Sequence, residues 1–164
     1  MSIDARTLRH TVGQFATGVT VVSTEVDGSV HALTANSFTS LSLDPPLVLF
    51  CVGKHTKAGR LIHQASRFCV NILHEAQRDQ STYFAGGWKE ETAPPAFSFE
   101  PWHGTPRLAG SAAALGCQLF AIHEGGDHWI VVGHVLAVDR AESEVRPLLF
   151  FRGRYAALDV PSAS

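Results

Sequence analysis

Apolar and polar positions alternate along this chain with two different periods, and the switches between them mark out its elements. Ile3, Leu8, Val12 and Phe15 fall at near-helical spacing, which predicts a short amphipathic helix over 3–15 that covers a neighbouring surface. Gly18 ends that pattern, and Val19-Thr20-Val21-Val22-Ser23-Thr24 reads as a strand. Asp27-Gly28 tolerates positive φ at both positions and predicts a hairpin turn, with the return strand running through Val30 to Thr34.

From Asn36 to Leu43, Ser37, Thr39 (or Ser40) and Ser42 alternate with Phe38, Leu41 and Leu43. Asp44-Pro45-Pro46 stops the run, because proline has no N–H to give to a ladder. Leu47 to Val52 is continuously apolar, the pattern of a strand buried on both faces. A basic loop, Gly53 to Lys57, leads into a predicted helix over 57–65, a strand over 68–73 and a helical stretch over 75–84.

Residues 85–106 hold tandem glycines, Pro94-Pro95, Pro101, Gly104 and Pro106. They read as a long irregular excursion that could reach over a neighbouring subunit. Strands resume over 115–123 and 129–138, and a hairpin of 148–152 and 155–158 turns around Gly153. Pro161 opens a loose tail. The strand over 129–138 is apolar on both alternating faces, which suits a barrel wall with a helix or second subunit outside it.

Many short strands, few helices and no β-α-β alternation predict a mainly β fold, an antiparallel barrel or sandwich. A length of 164 residues fits one domain, 1–164. Hydrophobic residues at 45% and charged residues at 17% describe an ordinary globular chain with a substantial core. A formal charge of -2 offers no basic field, which argues against nucleic acid as a partner. No stretch approaches the roughly 20 apolar residues of a membrane span. The N-terminal Met1 to Arg6 has no apolar signal core, so the expectation is a soluble cytoplasmic protein without membrane association. The three cysteines, Cys51, Cys69 and Cys117, are odd in number and each lies in an apolar run. They read as buried reduced thiols, not a disulfide frame or zinc site.

Several familiar constellations are absent. None of the fourteen glycines forms a G-x-G, which excludes the usual dinucleotide fingerprint. Gly53 to Arg60 is one residue too long for a phosphate-binding P-loop and lacks the Lys-Ser/Thr pair. In His123-Glu124-Gly125-Gly126-Asp127-His128 the second histidine is displaced from zinc-protease spacing, and two glycines oppose the helix that would align the ligands. The nine histidines share no metal spacing, so no metal is expected. No Ser-His-Asp set can be assembled from spacing.

Three features remain. Thr34-Ala35-Asn36-Ser37-Phe38-Thr39-Ser40-Leu41-Ser42 is dense in small donors and acceptors. It reads either as an exposed Ser/Thr-rich strand or as the edge of a site for a flat heteroaromatic ring rimmed with carbonyls and nitrogens. Gly53 to Lys57 with Arg60 gathers three cations around Thr56. It reads as a solvated loop or as a phosphate site, where Thr56 and Lys57 would act with helix-terminal amides. Gly126-Asp127-His128 reads as a surface turn, or as a turn presenting a hydrogen-bonding or proton-donating imidazole.

Together these residues resemble the short-chain flavin reductases, including the reductase components of two-component aromatic monooxygenases. The resemblance is carried by Phe15 to Val22, Thr34 to Leu49, Phe68 to Leu73, Gly104 to Gly110, Gly126 to His128 and Pro147 to Gly153, in that order. It spans about residues 8–158, with the block at 34–49 the most specific. It implies a homodimeric, FMN-binding antiparallel split β-barrel and an NAD(P)H-dependent reduction of FMN or FAD. The reduced flavin would pass to a separate monooxygenase.

The resemblance further implies that Thr34, Ala35, Asn36, Ser37, Ser40, Leu41 and Ser42 line the isoalloxazine ring and ribityl chain. Cys51, Val52 and Phe151 would also meet the flavin, while Gly53, Thr56 and Lys57 meet the phosphate. His128 would lie where the nicotinamide of NADH or NADPH stacks. Two other readings stay open: a flavin-dependent oxidase or oxygenase with its own small substrate, and a non-catalytic FMN-binding module.

Overall fold

The computed structural model describes residues 3–158. Helix α1 (Ala5–Val12) starts at Asp4, whose carboxylate accepts from the Arg6 and Thr7 amides at 3.0 Å each. The helix forms inside its predicted range, yet none of its residues is buried. Leu8, Val12 and Phe15 stay exposed, so the apolar stripe covers nothing among the described residues.

Two short strands, β1 (Thr17–Gly18) and β2 (Thr20–Val26), come next, followed by β3 (Ser29–Ala35), β4 (Thr39–Leu43) and β5 (Pro46–Gly53). Helix α2 (Lys57–Leu61) runs into a 3₁₀ turn at Ile62–Gln64 and then β6 (Arg67–Ile72). A second 3₁₀ turn, Glu75–Gln77, leads into α3 (Arg78–Phe84). The remaining elements are β7 (Phe99–Trp102), β8 (Thr105–Leu108), β9 (Ala113–Gly125), β10 (His128–Arg140), β11 (Leu149–Phe151) and β12 (Arg154–Ala156).

Seven strands form one sheet in the order β3-β2-β6-β9-β10-β5-β4, with every neighbouring pair antiparallel. A three-stranded sheet, β1-β11-β12, and the β7–β8 ladder complete a mainly β, antiparallel fold with three short helices. The core lies on one face of the large sheet, where Val22, Val48, Phe50, Phe68, Val70 and Val131 are buried together. Phe50 and Phe68 meet edge to face at 5.3 Å. A second cluster joins Val19, Val21, Leu73, Leu108 and Leu148, and Phe84 packs against it.

Beyond the uncovered stripe of α1, the structure departs from the sequence expectation in four further places. Residues 85–106 are not irregular throughout, because β7 and β8 pair around His103 and Gly104, both at positive φ. Buried Asn71 docks that hairpin: its Oδ1 accepts from the Leu108 amide at 2.9 Å, and its Nδ2 donates to Ser23 Oγ at 3.0 Å. Strand β5 is not buried on both faces. Val48, Phe50 and Val52 are buried while Leu47, Leu49 and Cys51 are half-buried, so Cys51 is not a core thiol. Pro46 does not lie in a stop signal but opens β5. The tail from Pro161 lies outside the described residues.

Finally, the alternation of β4 is broken by a bulge that leaves Leu41 without an opposite residue. Phe120 in β9 and Leu136 in β10 are extra residues of the same kind. All three bulge side chains point outward, 47%, 60% and 46% exposed respectively. Val48 and Leu47 pair with Gly133 and His134, which pair in turn with Leu119 and Gln118. Leu41 and Phe120 therefore flank, from its two sides, the row that Ser40, Val48, Gly133 and Leu119 form across four adjacent strands. Among the described residues, no helix is long and apolar enough to cross a membrane.

Candidate functional site

Five segments converge on a trough of about 690 Å3. They are the end of β3 with the residues after it, the end of β5, the loop entering α2, the C-terminal end of α3 and the β9–β10 turn. The size suits a nucleotide-sized ligand.

The wall after β3 is fixed by a side chain. Ser37 Oγ accepts from the Cys51 amide at 2.9 Å and donates to the Cys51 carbonyl at 3.1 Å. Asn36, the exposed neighbour of this clasp, lies where three hollows meet. The second, about 530 Å3, is bordered by Phe15, Thr17 and Phe38, and the third, about 130 Å3, by Ser81, Phe150 and Tyr155. Thr34 Oγ1 donates to the Ser81 carbonyl at 2.6 Å, tying β3 to α3 and bringing Phe84, Ala85 and Gly86 to the rim.

The loop after β5 is tighter than its composition suggests. Thr56 caps α2: its hydroxyl accepts from the Gly59 amide at 2.9 Å and donates to the Gly53 carbonyl at 2.8 Å. Gly59 is buried so closely that a Cβ there would stand 2.0 Å from the Gly53 carbonyl oxygen. The three cations of the loop part company. Lys54 turns away, its ammonium 4.4 Å from the Trp129 ring centre and 3.3 Å from Glu124. Arg60 donates to the His55 carbonyl at 2.7 Å. Lys57 lines the trough and forms no ion pair among the described residues.

On the opposite side, the β9–β10 turn presents Asp127 and His128. His128 Nδ1 lies 2.7 Å from Asp127 Oδ1. That hydrogen bond, with the imidazole's charge as a second cause, holds the Asp127 carboxyl below the usual carboxylate range. His128 pairs with Gly53 across the ladder, and its Nε2 stands 3.8 Å from the Cβ position that Gly53 lacks. Burial pushes the thiols elsewhere in the sheet up, Cys69 to about 11 and Cys117 to about 12.

Most of the expected site residues therefore share one cavity: Thr34, Ala35, Asn36 and Ser37 on one wall, Cys51, Val52 and Gly53 on the floor, and Thr56, Lys57 and His128 around them. Ser40, Leu41, Ser42 and Phe151 do not line it. The first three lie on β4, and Phe151 borders a separate hollow with Arg152 and Tyr155. Phe84, Ala85 and Gly86, small or core-facing residues at a helix end, also line the trough and carry no polar signature in the sequence. Asp127 joins the lining as well, and its signal is a carboxylate beside a turn histidine.

A mainly β antiparallel fold with a nucleotide-sized trough at the ends of its strands is the class that this geometry defines. The sequence model of the family described as flavin reductase like domain matches residues 12–159. The reductase subunit HsaB of a flavin-dependent monooxygenase from Rhodococcus jostii (strain RHA1) is 40% identical over 158 residues, covering 96% of this chain and 80% of that protein. Among solved structures, the flavin reductase PheA2 in its native state superposes with a TM-score of 0.90 at 39% identity, covering 96% of this chain and 100% of the other. The Streptomyces globisporus C-1027 NADH:FAD oxidoreductase SgcE6, in complex with NAD and FAD fragments, gives a TM-score of 0.85 at 34% identity and covers 100% and 99%. The chain belongs to the flavin reductase-like family.

Proposed function

We propose that this protein is an NADH:flavin oxidoreductase that reduces FMN or FAD and supplies the reduced flavin to a separate monooxygenase. The observation that carries the reading is the single trough, in which the Thr34–Ser37 backbone faces Lys57 and the Asp127–His128 turn. A bound flavin supplies the redox chemistry, accepting hydride at N5 from C4 of the nicotinamide. The chain's own residues do the rest. Short side chains at Thr34, Ala35 and Ser37 let the backbone approach a ring edge. Lys57 meets a phosphate, and His128 orients the nicotinamide. Names of relatives support this assignment, including an NADH-dependent flavin reductase from Rhodococcus and a reductase component of a tryptophan halogenase.

The charge of the trough favours NADH over NADPH. Its lining holds one lysine, Lys57, against one carboxylate, Asp127. Once Lys57 meets the flavin phosphate, no further lysine or arginine of the lining remains for a 2′-phosphate.

The same proposal takes residues 1–164 as one cytoplasmic domain, with the seven-stranded sheet closing as a split barrel. The Ser37–Cys51 clasp supports closure, since it joins the chain leaving edge strand β3 to β5 near the opposite edge. The barrel works as a homodimer, supported by the apolar bulge residues Leu41, Phe120 and Leu136 on the outer face. The test is to mix purified protein, NADH and excess FMN or FAD, and follow the nicotinamide absorbance. Rapid flavin-dependent loss is expected, and faster with NADH than with NADPH. Flavin binding without loss would make the protein a binding module, and a requirement for an organic substrate would make it an oxygenase.

A further inference from the structure

We propose that Asp127 is a positioning residue that fixes His128 as its Nδ1–H tautomer, and that the trough thereby selects a hydride donor carrying a primary carboxamide over one carrying a carboxylate. This rests on the reductase reading and goes further, because it names what distinguishes an accepted donor from a rejected one.

An ionised carboxylate only accepts hydrogen bonds, so the ring nitrogen 2.7 Å from Asp127 Oδ1 must carry the proton. In the neutral imidazole the other nitrogen is then a bare lone pair. That nitrogen, Nε2, stands over Gly53 at the trough and takes no hydrogen bond from the described residues. The other titratable groups of the lining, His55 and Lys57, belong to the loop and helix across the floor. Lys54 is drawn off by Trp129 and Glu124. Among the described residues, the one charged group in hydrogen-bond contact with the ring is therefore the negative one of Asp127.

A lone pair backed by a carboxylate accepts an N–H and repels oxygen anions. The amide of nicotinamide offers that N–H. The carboxylate of nicotinic acid, of almost the same shape, offers two acceptors and a charge of the wrong sign. Discrimination here comes from an unfavourable pairing with the wrong ligand as much as from a bond to the right one. Removing the Asp127 carboxylate undoes both terms. In Asp127→Asn the amide can donate to Nδ1 and move the proton to Nε2. In Asp127→Ala the ring reverts to its own preference for Nε2–H. Either way Nε2 becomes a donor, which suits a carboxylate.

The experiment uses the full chain at about pH 8, above the ordinary imidazole range. Nitrogen NMR of the ligand-free protein reads the His128 tautomer, and steady-state assays compare NADH with reduced nicotinic acid adenine dinucleotide as donors to FAD. Wild type is expected to show Nδ1–H and a kcat/KM preference for NADH of about tenfold or more. In Asp127→Asn and Asp127→Ala, which should unfold at the wild-type temperature because the pair is exposed, Nε2–H should dominate and the preference should fall about tenfold. An Nε2–H tautomer in wild type, or an unchanged donor ratio in a variant whose tautomer has moved, overturns the proposal. If wild type consumes neither donor with flavin present, the reductase reading fails and the selectivity falls with it, while the NMR result still decides what Asp127 does to the ring.

Discussion

Ser37 and Cys51, fourteen residues apart, are joined by two hydrogen bonds in which one hydroxyl does the work of a strand partner. The clasp holds the chain beyond β3 against β5 and so sets the width of the trough between them. Ser37→Ala leaves the Cys51 amide and carbonyl unpaired in a half-buried position and is expected to cost about 1–3 kcal/mol. Flavin affinity should fall with it. Ser42→Ala, outside the trough on β4, should change stability by under about 0.5 kcal/mol. Urea denaturation and flavin fluorescence titration of the two variants check both statements.

The two lysines of the loop should behave oppositely. Lys57→Ala is expected to weaken FMN and FAD binding by about tenfold and to leave riboflavin, which has no phosphate, unaffected. Lys54→Ala removes a contact to Trp129 and Glu124 that faces away from the trough. Its flavin affinities should stay near wild type. Calorimetric titration with all three flavins separates the cases.

Gly59 is the position where the loop tolerates least. A methyl group there would meet the Gly53 carbonyl oxygen at 2.0 Å, with Lys54 Cα also close. Backbone must move, so Gly59→Ala is expected to destabilise by about 2 kcal/mol or more. It should also displace Gly53 from beneath His128, and thermal melts with and without FAD should show a smaller ligand-induced shift.

Cys69 and Cys117 give the fold an alkaline limit. Burial raises Cys69 from 9.0 to about 11 and Cys117 from 9.0 to about 12. The unfolded chain releases these protons near pH 9 while the native chain keeps them. Unfolding therefore becomes easier as pH rises, beginning near the unfolded value and continuing through the folded ones. Stability should decline between about pH 9 and 12, and Cys69→Ala or Cys117→Ala should flatten that decline whatever its cost at neutral pH. Melting temperature against pH tests the sign.

The bulge residues on the outer sheet face make a separate prediction. Phe120→Asp puts a charge one row away from Leu41 on the exposed face and should convert a dimer to monomers. The monomer should keep its secondary structure, because the side chain at 120 is 60% exposed and supports no core contact. Sedimentation equilibrium and circular dichroism decide it.

The strands were largely legible because most are runs of β-branched and apolar residues bounded by turn residues, and the β2–β3, β9–β10 and β11–β12 turns announced themselves through Asp-Gly, Gly-Asp and Arg-Gly pairs. The β7–β8 hairpin was not. Pro101 and Pro106 argue against strands, yet they face each other across the ladder, so both missing donors fall at one shared position. The exposure of Leu41 and Phe120 was equally hidden, since a bulge reverses sidedness without changing composition. The trough was visible through Thr34 to Ser37 and Gly126 to His128, whose residue types carry polar chemistry. Its α3 rim was not, because Phe84, Ala85 and Gly86 owe their place to a Thr34–Ser81 hydrogen bond between distant segments.

The seat of Lys54 over Trp129 has a consequence for how the protein handles a nucleotide. The loop carries three cations in one dimension but turns only Lys57 into the trough, so few counterions leave when a ligand enters. Occupancy should then change little with ionic strength, in contrast to phosphate sites built from clustered arginines. A product held by one lysine, shape and backbone contacts should depart readily, as suits a carrier of electrons meant for use elsewhere.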